Sequence, residues 1–252
     1  MIRNIPNFFT LANLFCGCMA IVFVLHPTQS FQELEGLTHV YNLRWMLAPF
    51  WIFAAAVIDF LDGFIARWMK AESQLGGQLD SLSDVVSFGV APGMILFQLL
   101  QFSFLKEIHS METPEWFLMP AFLIPVASAW RLAVFNLDTE QKTSFRGVPT
   151  PLTALVVASL PLILWFNGSI TAGWILNKWV LYFIIIFLSS MMVSRIPIMS
   201  LKVKAWNLKS ATPQYILLTI SVVLLIFLQW LALPLIYVLF LVLSLIFRKH
   251  IA

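Results

Sequence analysis

Residues 59–84 read DFLDGFIARWMKAESQLGGQLDSLSD, and four aspartates, Asp59, Asp62, Asp80 and Asp84, punctuate the stretch. Asp59 and Asp62 stand i,i+3, and Asp80 and Asp84 stand i,i+4, so on helices each pair shares one face. Both pairs sit at the ends of apolar segments. Ionisable groups on such helices are costly and usually turn toward the bundle interior, where they find a partner. Four clustered carboxylates cannot all stay ionised beside lipid without cations, and Arg67 is a single guanidinium. An all-oxygen set with no His or Cys nearby suits hard divalent ions, Mg²⁺, Mn²⁺ or Ca²⁺. Gly63, Ala66, Gly76 and Gly77 are small enough to let a ligand or backbone approach closely. Arg67 matches a phosphate, and Ser73 and Gln74 offer uncharged hydrogen bonds in the turn between the segments. Together these residues describe a site for phosphoryl chemistry.

Two other readings of the aspartates stand beside this one. A salt-bridge cluster that only ties helices together leaves most of the carboxylates unneutralised. The cation pathway of a transporter would use the acids but not the Gly, Ala and Arg positions. It would also place acids near the bilayer midplane on broken helices.

The surrounding chain says what solvent these acids live in. Of 252 residues, 60% are hydrophobic and 11% charged, against about 45–50% and about 25% in soluble domains. Mean hydropathy is +0.89. Spans of about 17–25 apolar residues are expected for crossing helices. They are read at 8–25, 45–69, 82–103, 117–136, 151–166, 176–194, 212–230 and 233–247, joined by short polar loops. The fold class is therefore an all-α polytopic membrane protein. The segment before residue 8 lacks the apolar run and small-residue cleavage site of a leader, so the first span is expected to stay.

Eight spans put both termini on one side. That side collects twelve of the fifteen basic residues, among them Arg3, Arg67, Arg131, Arg146, Arg195 and Lys202, and leaves Arg44, Lys106 and Lys178 on the other. The positive-inside rule makes the richer side cytoplasmic, together with both termini and the aspartates. The net charge of +3 reflects topology and anionic headgroups. No concentrated basic face of the kind that binds nucleic acid is present. Cys16 and Cys18 lie within the first span, too few for a disulfide framework and without partners for zinc. His26, His39, His109 and His250 fall away from the acids. Asn167-Gly168-Ser169 reads formally as a glycosylation acceptor in a short loop.

Asp59-Phe60-Leu61-Asp62-Gly63-Phe64-Ile65-Ala66-Arg67, with Gly76, Asp80 and Asp84 at their spacings, resembles the signature of the CDP-alcohol phosphotransferase family. All eight fixed positions match. The resemblance covers about residues 5–200 and implies a membrane enzyme with a six-helix core. Such an enzyme uses a CDP-linked lipid donor and two divalent metal ions, Mg²⁺ or Mn²⁺, and releases CMP. It implies that Asp59, Asp62, Asp80 and Asp84 bind metal, with Asp84 also acting as base on the acceptor hydroxyl. It places Asp62, Gly63, Ala66, Arg67, Ser73 and Gly76 around the CDP moiety. The segment Pro6-Asn7-Phe8-Phe9-Thr10-Leu11-Ala12-Asn13 is similar to the family's N-terminal stretch, which adds Asn7 and Thr10 to the nucleotide contacts. From the residues alone, Asn7 and Thr10 serve equally well as caps of the first helix. The chain divides into 1–200, the transferase core, and 201–252, a hairpin of two additional helices with no assigned task. A homodimer is left open.

Three further stretches resemble the serine-using branch of that family and imply CDP-diacylglycerol and L-serine as substrates. They are Asp80 to Gly93, Ser128 to Asn136 with Phe145 to Pro151, and Ser194-Arg195-Ile196-Pro197 followed by Lys202. Val134 departs from the pattern, which has a second Arg there. Serine carries a carboxylate and an ammonium, so its pocket needs a cation and an amide or carbonyl acceptor. Arg131, Arg146 and Asn136 lie at the right depth, and an arginine fork suits a carboxylate. Anchoring to lipid phosphates is the other reading of both arginines. Glycerol 3-phosphate or inositol phosphate remain alternative acceptors.

Overall fold

The computed structural model describes residues 5–25, 31–34, 37–40, 45–69, 73–107, 114–137, 145–166, 168–199 and 212–247. The helices are α1 (Ile5–Leu25), α2 (Leu47–Trp68), α3 (Gln74–Asp84), α4 (Ala91–Glu107), α5 (Leu123–Leu137), α6 (Thr150–Phe166), α7 (Gly168–Ile175), α8 (Lys178–Val193), α9 (Thr212–Leu228) and α10 (Ala232–Ile246). Two short ribbons accompany them: β1 (Phe31–Leu34) with β2 (Leu37–Val40), and β3 (Phe145–Arg146) with β4 (Pro197–Ile198), both antiparallel. Five stretches are long and apolar enough to cross a bilayer: Pro6–Leu25, Leu47–Trp68, Gln74–Phe104, Met119–Leu137 and Pro213–Ile246. Thr150–Phe166 and Lys178–Val193 are shorter apolar helices. The chain is a multi-pass membrane protein.

Its packing is that of a protein dissolved in lipid. Phe8, Phe15, Phe60, Trp68, Val126, Trp130, Phe183 and Phe227 project outward, while Thr10, Asn13, Asp62, Ser83, Asp84, Ser87, Ser128, Thr153 and Ser159 are buried. Lipid tails reward no apolar residue for turning inward, so small and polar side chains gather between helices and bulky apolar ones face out. α6 runs through the middle of the bundle, with Val156 to Leu164 buried throughout despite the internal Pro161. α1 packs along α2 and against α3, and α5 lies against α8.

Several elements depart from the expectations above. α1 begins at Ile5 rather than residue 8, and Pro6 in its first turn has no N–H to leave unpaired. Asn7 and Thr10 are therefore inside the helix, which excludes the capping role. The third rod begins at Gln74, eight residues before the expected start at 82, so Gln74 is helical rather than part of a turn. Ser73 is its N-cap, with extended backbone and a hydroxyl that accepts from the Gly76 N–H at 3.0 Å. Hydropathy missed the first turns because 74–84 is polar, and its polarity belongs to the site. Between α3 and α4 the helix loosens into a π segment, Val85–Val90, a device that shifts the helical register and is common at functional sites. α7 occupies part of what the sequence presents as a loop.

The last two helices run as an apolar stretch broken at Gln229, whose φ of +49° is left-handed. The chain turns there and α10 packs back on α9 and on α6. Trp230 at the turn meets Phe53 and Phe166 at ring separations of 5.8 and 6.3 Å. The other end of α10 is tied to the core, since Ser244 Oγ accepts from the Met199 N–H at 3.2 Å and donates to the Phe240 carbonyl at 2.7 Å. Met199 directly follows β4. Gly147, with φ of +75°, follows β3 and donates its N–H to the Ile196 carbonyl at 3.1 Å. A side chain there would collide with the Met192 carbonyl and come within 2.9 Å of the Ser194 carbonyl.

Arg3, Arg44, Lys70, Lys142, Lys202, Lys204, Lys209, Arg248 and Lys249, which carry much of the topology reading, lie outside the described residues, as do Asn167, His26, His109 and His250.

Candidate metal and phosphate site

The site forms between the first half of α1, the last turns of α2 and the length of α3. Asp59 and Asp62 come from the last three turns of α2, and Asp80 and Asp84 from the second half of α3. One carboxylate oxygen from each of Asp59, Asp62 and Asp80 lies within 4.8 Å of the others. The Asp59 carboxyl also contacts Asp80 and Asp84, so the two helical pairs of the sequence meet as one four-carboxylate cluster. Asp62 and Asp84 are buried, at 6% and 7% exposure. Asp80 Oδ1 is buried with no hydrogen-bond partner. Four convergent carboxylates with an orphaned oxygen leave a demand for positive charge beyond what Arg67, near Asp62, and Arg131, near Asp84, supply, and the all-oxygen donor set fits a hard divalent cation.

α1 supplies partners to both pairs. Thr10 Oγ1 donates to Asp62 Oδ2 at 2.8 Å, and Asn13 Nδ2 donates to Asp84 Oδ1 at 3.3 Å. The backbone of α1 is held in turn by two serines one helical turn apart. Ser83 Oγ donates to the Thr10 carbonyl at 2.8 Å and Ser87 Oγ to the Asn13 carbonyl at 2.9 Å. The approach needs Gly17, because a Cβ there would lie 2.7 Å from the Ser87 Cα.

Beside the carboxylates lies a cavity of about 280 Å³, lined by Pro6, Asn7, Thr10, Asp62, Gly63, Ala66, Ser73, Gly76, Gly77 and Asp80. Seven of the eight residues the sequence set around CDP, all but Arg67, are in this wall. Gly76 sits in a tight spot, since a Cβ there would lie 3.1 Å from both Asn7 Oδ1 and Ser73 Oγ and those side chains would have to give way. Arg67 is exposed, and its guanidinium lies against Gly63, 3.3 Å from where a Cβ would be.

The three residues assigned to an acceptor fare differently. Arg131 is half-buried on α5, within electrostatic reach of Asp84. Its guanidinium stands 6.0 Å from the Phe135 ring centre, and its Nε has no hydrogen-bond partner. Asn136 is exposed at the end of α5 and its amide donates to Ser81 Oγ at 2.8 Å, which ties α5 to the α3 turn between Asp80 and Asp84. Arg146 contributes its backbone to β3, opposite Pro197, and its side chain lies outside the described residues.

Asn13 was quoted in the sequence but given no task, and Ser83 and Ser87 went unassigned. A signal for Asn13 was present: Asn7, Thr10, Asn13 and Gly17 repeat every three to four residues on an otherwise apolar helix, the mark of a polar seam. The opposite end of the bundle carries no comparable group among the described residues. There Trp45 packs on Phe102 and Phe104 on Phe117, each pair at 5.5 Å. Tyr182 donates to the Phe117 carbonyl at 2.8 Å. Aromatics of this kind mark a bilayer interface.

Residues 3–189 match the sequence profile of the CDP-alcohol phosphatidyltransferases. The chain is 35% identical over 172 residues to a CDP-diacylglycerol–serine O-phosphatidyltransferase of Mycobacterium leprae, covering 65% of this chain and 51% of that protein. It is 30% identical over 210 residues to a protein of the same name from Helicobacter pylori, covering 81% of this chain and 75% of the relative. A Bacillus subtilis protein, again of that name, is 28% identical over 156 residues, or 62% of this chain and 74% of its own. The chain thus spans about half the length of the mycobacterial relative and three quarters of the other two.

Proposed function

Because the chain belongs to the CDP-alcohol phosphatidyltransferase family, we propose that it transfers the phosphatidyl group of CDP-diacylglycerol to the hydroxyl of L-serine, giving phosphatidylserine and CMP. The observation that carries this reading is the 280 Å³ cavity whose wall runs into the carboxylate cluster. The serine named in all three relatives supports the choice of acceptor.

Asp59, Asp62, Asp80 and Asp84 would hold two divalent ions, Mg²⁺ or Mn²⁺, which when bound would supply positive charge to offset that on the donor pyrophosphate and on the departing phosphate. Asn7, Thr10, Asp62, Gly63, Ala66, Ser73 and Gly76 enclose the nucleotide, and Arg67 at the rim pairs with phosphate as a planar fork. Asp84 accepts the proton of the serine hydroxyl. The serine oxygen bonds to the lipid-side phosphorus as the bond from that phosphorus to the CMP oxygen breaks, and CMP leaves with the electron pair. A hydroxyl is a weak nucleophile, so a positioned base and a fixed geometry supply much of the acceleration. Arg131 holds the serine carboxylate next to Asp84, with Arg146 and Asn136 at the pocket's outer edge.

The reaction is served by residues 1–200, with 201–252 as an added hairpin. The excess of Lys and Arg at the site end makes that end cytoplasmic, together with both chain termini. The decisive experiment is CMP release from CDP-diacylglycerol by the detergent-purified protein with each alcohol in turn. L-serine should be used in clear preference to glycerol 3-phosphate, inositol or inositol phosphate. A better rate with glycerol 3-phosphate overturns serine and leaves the reaction class. No CMP release with any alcohol overturns both.

A further inference from the structure

One buried polar side chain of the site has no task in the scheme above. Asn13 has no exposed surface. Its Nδ2 donates to Asp84 Oδ1 at 3.3 Å, and its own Oδ1 is buried without a partner. With Asp84 ionised, as a metal ligand and base must be, its oxygens only accept, so the nitrogen end of the amide faces it. Leucine in that place would pack in an apolar helix with no orphaned atom, so an asparagine here is a standing cost to stability.

Its placement is secured from outside the residue. Ser83 and Ser87 lie one turn apart on the α3 rod and grip the carbonyls of Thr10 and Asn13, themselves one turn apart on α1. The two helices are locked in one register. Sliding α1 by a turn would take Thr10 off Asp62 and Asn13 off Asp84 together. Ser87 and Gly17 meet within the π segment, so the loosened turn and the missing side chain serve the same close approach.

We propose that Asn13 is a positioning residue for Asp84. Its amide occupies one carboxylate oxygen and fixes the rotamer, leaving the other oxygen for the metal ion and the acceptor hydroxyl. The inference deepens the function proposed above and rests on the metal-binding and base roles assigned there to Asp84. The competing account is mechanical: polar side chains in membrane helices also glue one helix to another.

The test uses the full chain in detergent with two variants, Asn13→Leu, which fills the space but cannot donate, and Asn13→Ala. Three quantities are measured: Mn²⁺ affinity by paramagnetic-resonance titration, kcat at saturating Mn²⁺, and the thermal midpoint. Loss of a partner that orients a metal ligand typically costs ten- to hundredfold in metal affinity or activity. Mn²⁺ binding should weaken by that factor and kcat should fall with it, while the midpoint of at least one variant stays within a few degrees of wild type. Unchanged Mn²⁺ affinity and kcat in a folded variant would overturn the proposal. So would a lowered midpoint with wild-type Mn²⁺ affinity, or the failure of both variants to fold, each of which makes Asn13 a helix glue only. Weakened Mn²⁺ binding in Asn13→Leu beside a wild type that turns over no alcohol would sustain this inference and sink the proposed reaction.

Discussion

Apart from the polar α3, the helices of the site end and of the C-terminal hairpin are all apolar, yet the two regions treat polar groups in opposite ways. Around α1, α2 and α3, Thr10, Asn13, Asp62, Ser83, Asp84 and Ser87 are buried and bonded across helices. Along α9, Leu218, Ile220, Val222, Leu225, Ile226 and Phe227 are exposed, and among the described residues Ser244 at the far end of α10 gives the hairpin a polar tie to the core. In lipid an apolar surface carries little information about partners, because tails satisfy it anywhere along the rod. Buried hydrogen bonds carry the information, since each one specifies an angle, a depth and a neighbour. The contrast sets the polar, hydrogen-bonded site apart from a hairpin whose exposed face is apolar.

The largest effect expected is at the base. Asp84→Asn should lower turnover by roughly a thousandfold or more, while binding of CDP-diacylglycerol, measured by equilibrium titration, persists. Asp62→Asn should weaken both, because that side chain faces cavity and cluster together. Equal loss of donor affinity in the two variants would recast Asp84 as mainly a metal ligand. Chelator should likewise remove activity and added Mn²⁺ or Mg²⁺ restore it, and full turnover in excess chelator would end the metal reading. Next in size, Arg131→Ala should raise the serine KM at least tenfold with little change in the donor KM. A partly desolvated charge pair is worth about 2–5 kcal/mol on truncation. An unchanged serine KM would move the carboxylate contact to Arg146.

Smaller effects test the scaffold at each end. Gly17→Val should destabilise by about 1–3 kcal/mol through overpacking against the Ser87 backbone, read as a lowered thermal midpoint, with lost activity because α1 carries Thr10 and Asn13. Ser244→Ala should cost about 0.5–1.5 kcal/mol and leave kcat and both KM values within twofold. A large drop in activity there would mean that the hairpin reaches the site through Met199 and the β3–β4 ribbon, and the contrast between the two ends would fail.

Much of this protein is written locally in its chain. Lipid as solvent makes hydropathy a direct readout of spans, so α2, α6, α8 and the last two helices fall within a few residues of their expected ranges. The 3.6-residue period puts Asp59 with Asp62 and Asp80 with Asp84 whatever else the fold does. Where local signals failed, the cause was a competing requirement. The stretch 74–81 looks unlike a membrane helix because it supplies Gly76, Gly77 and Asp80 to the wall of a cavity, and Ser73 starts the helix earlier than hydropathy allows. The rest needed the assembled bundle. That Asn13 meets Asp84 depends on how far α1 is rotated and slid against α3, which Ser83, Ser87 and Gly17 set between them. That α10 returns to Met199 depends on one left-handed residue, Gln229; the sequence marks a turn by Pro234, a few residues further on. Pairing two helices is decided by side chains far apart in sequence, and no periodicity within either helix contains that choice.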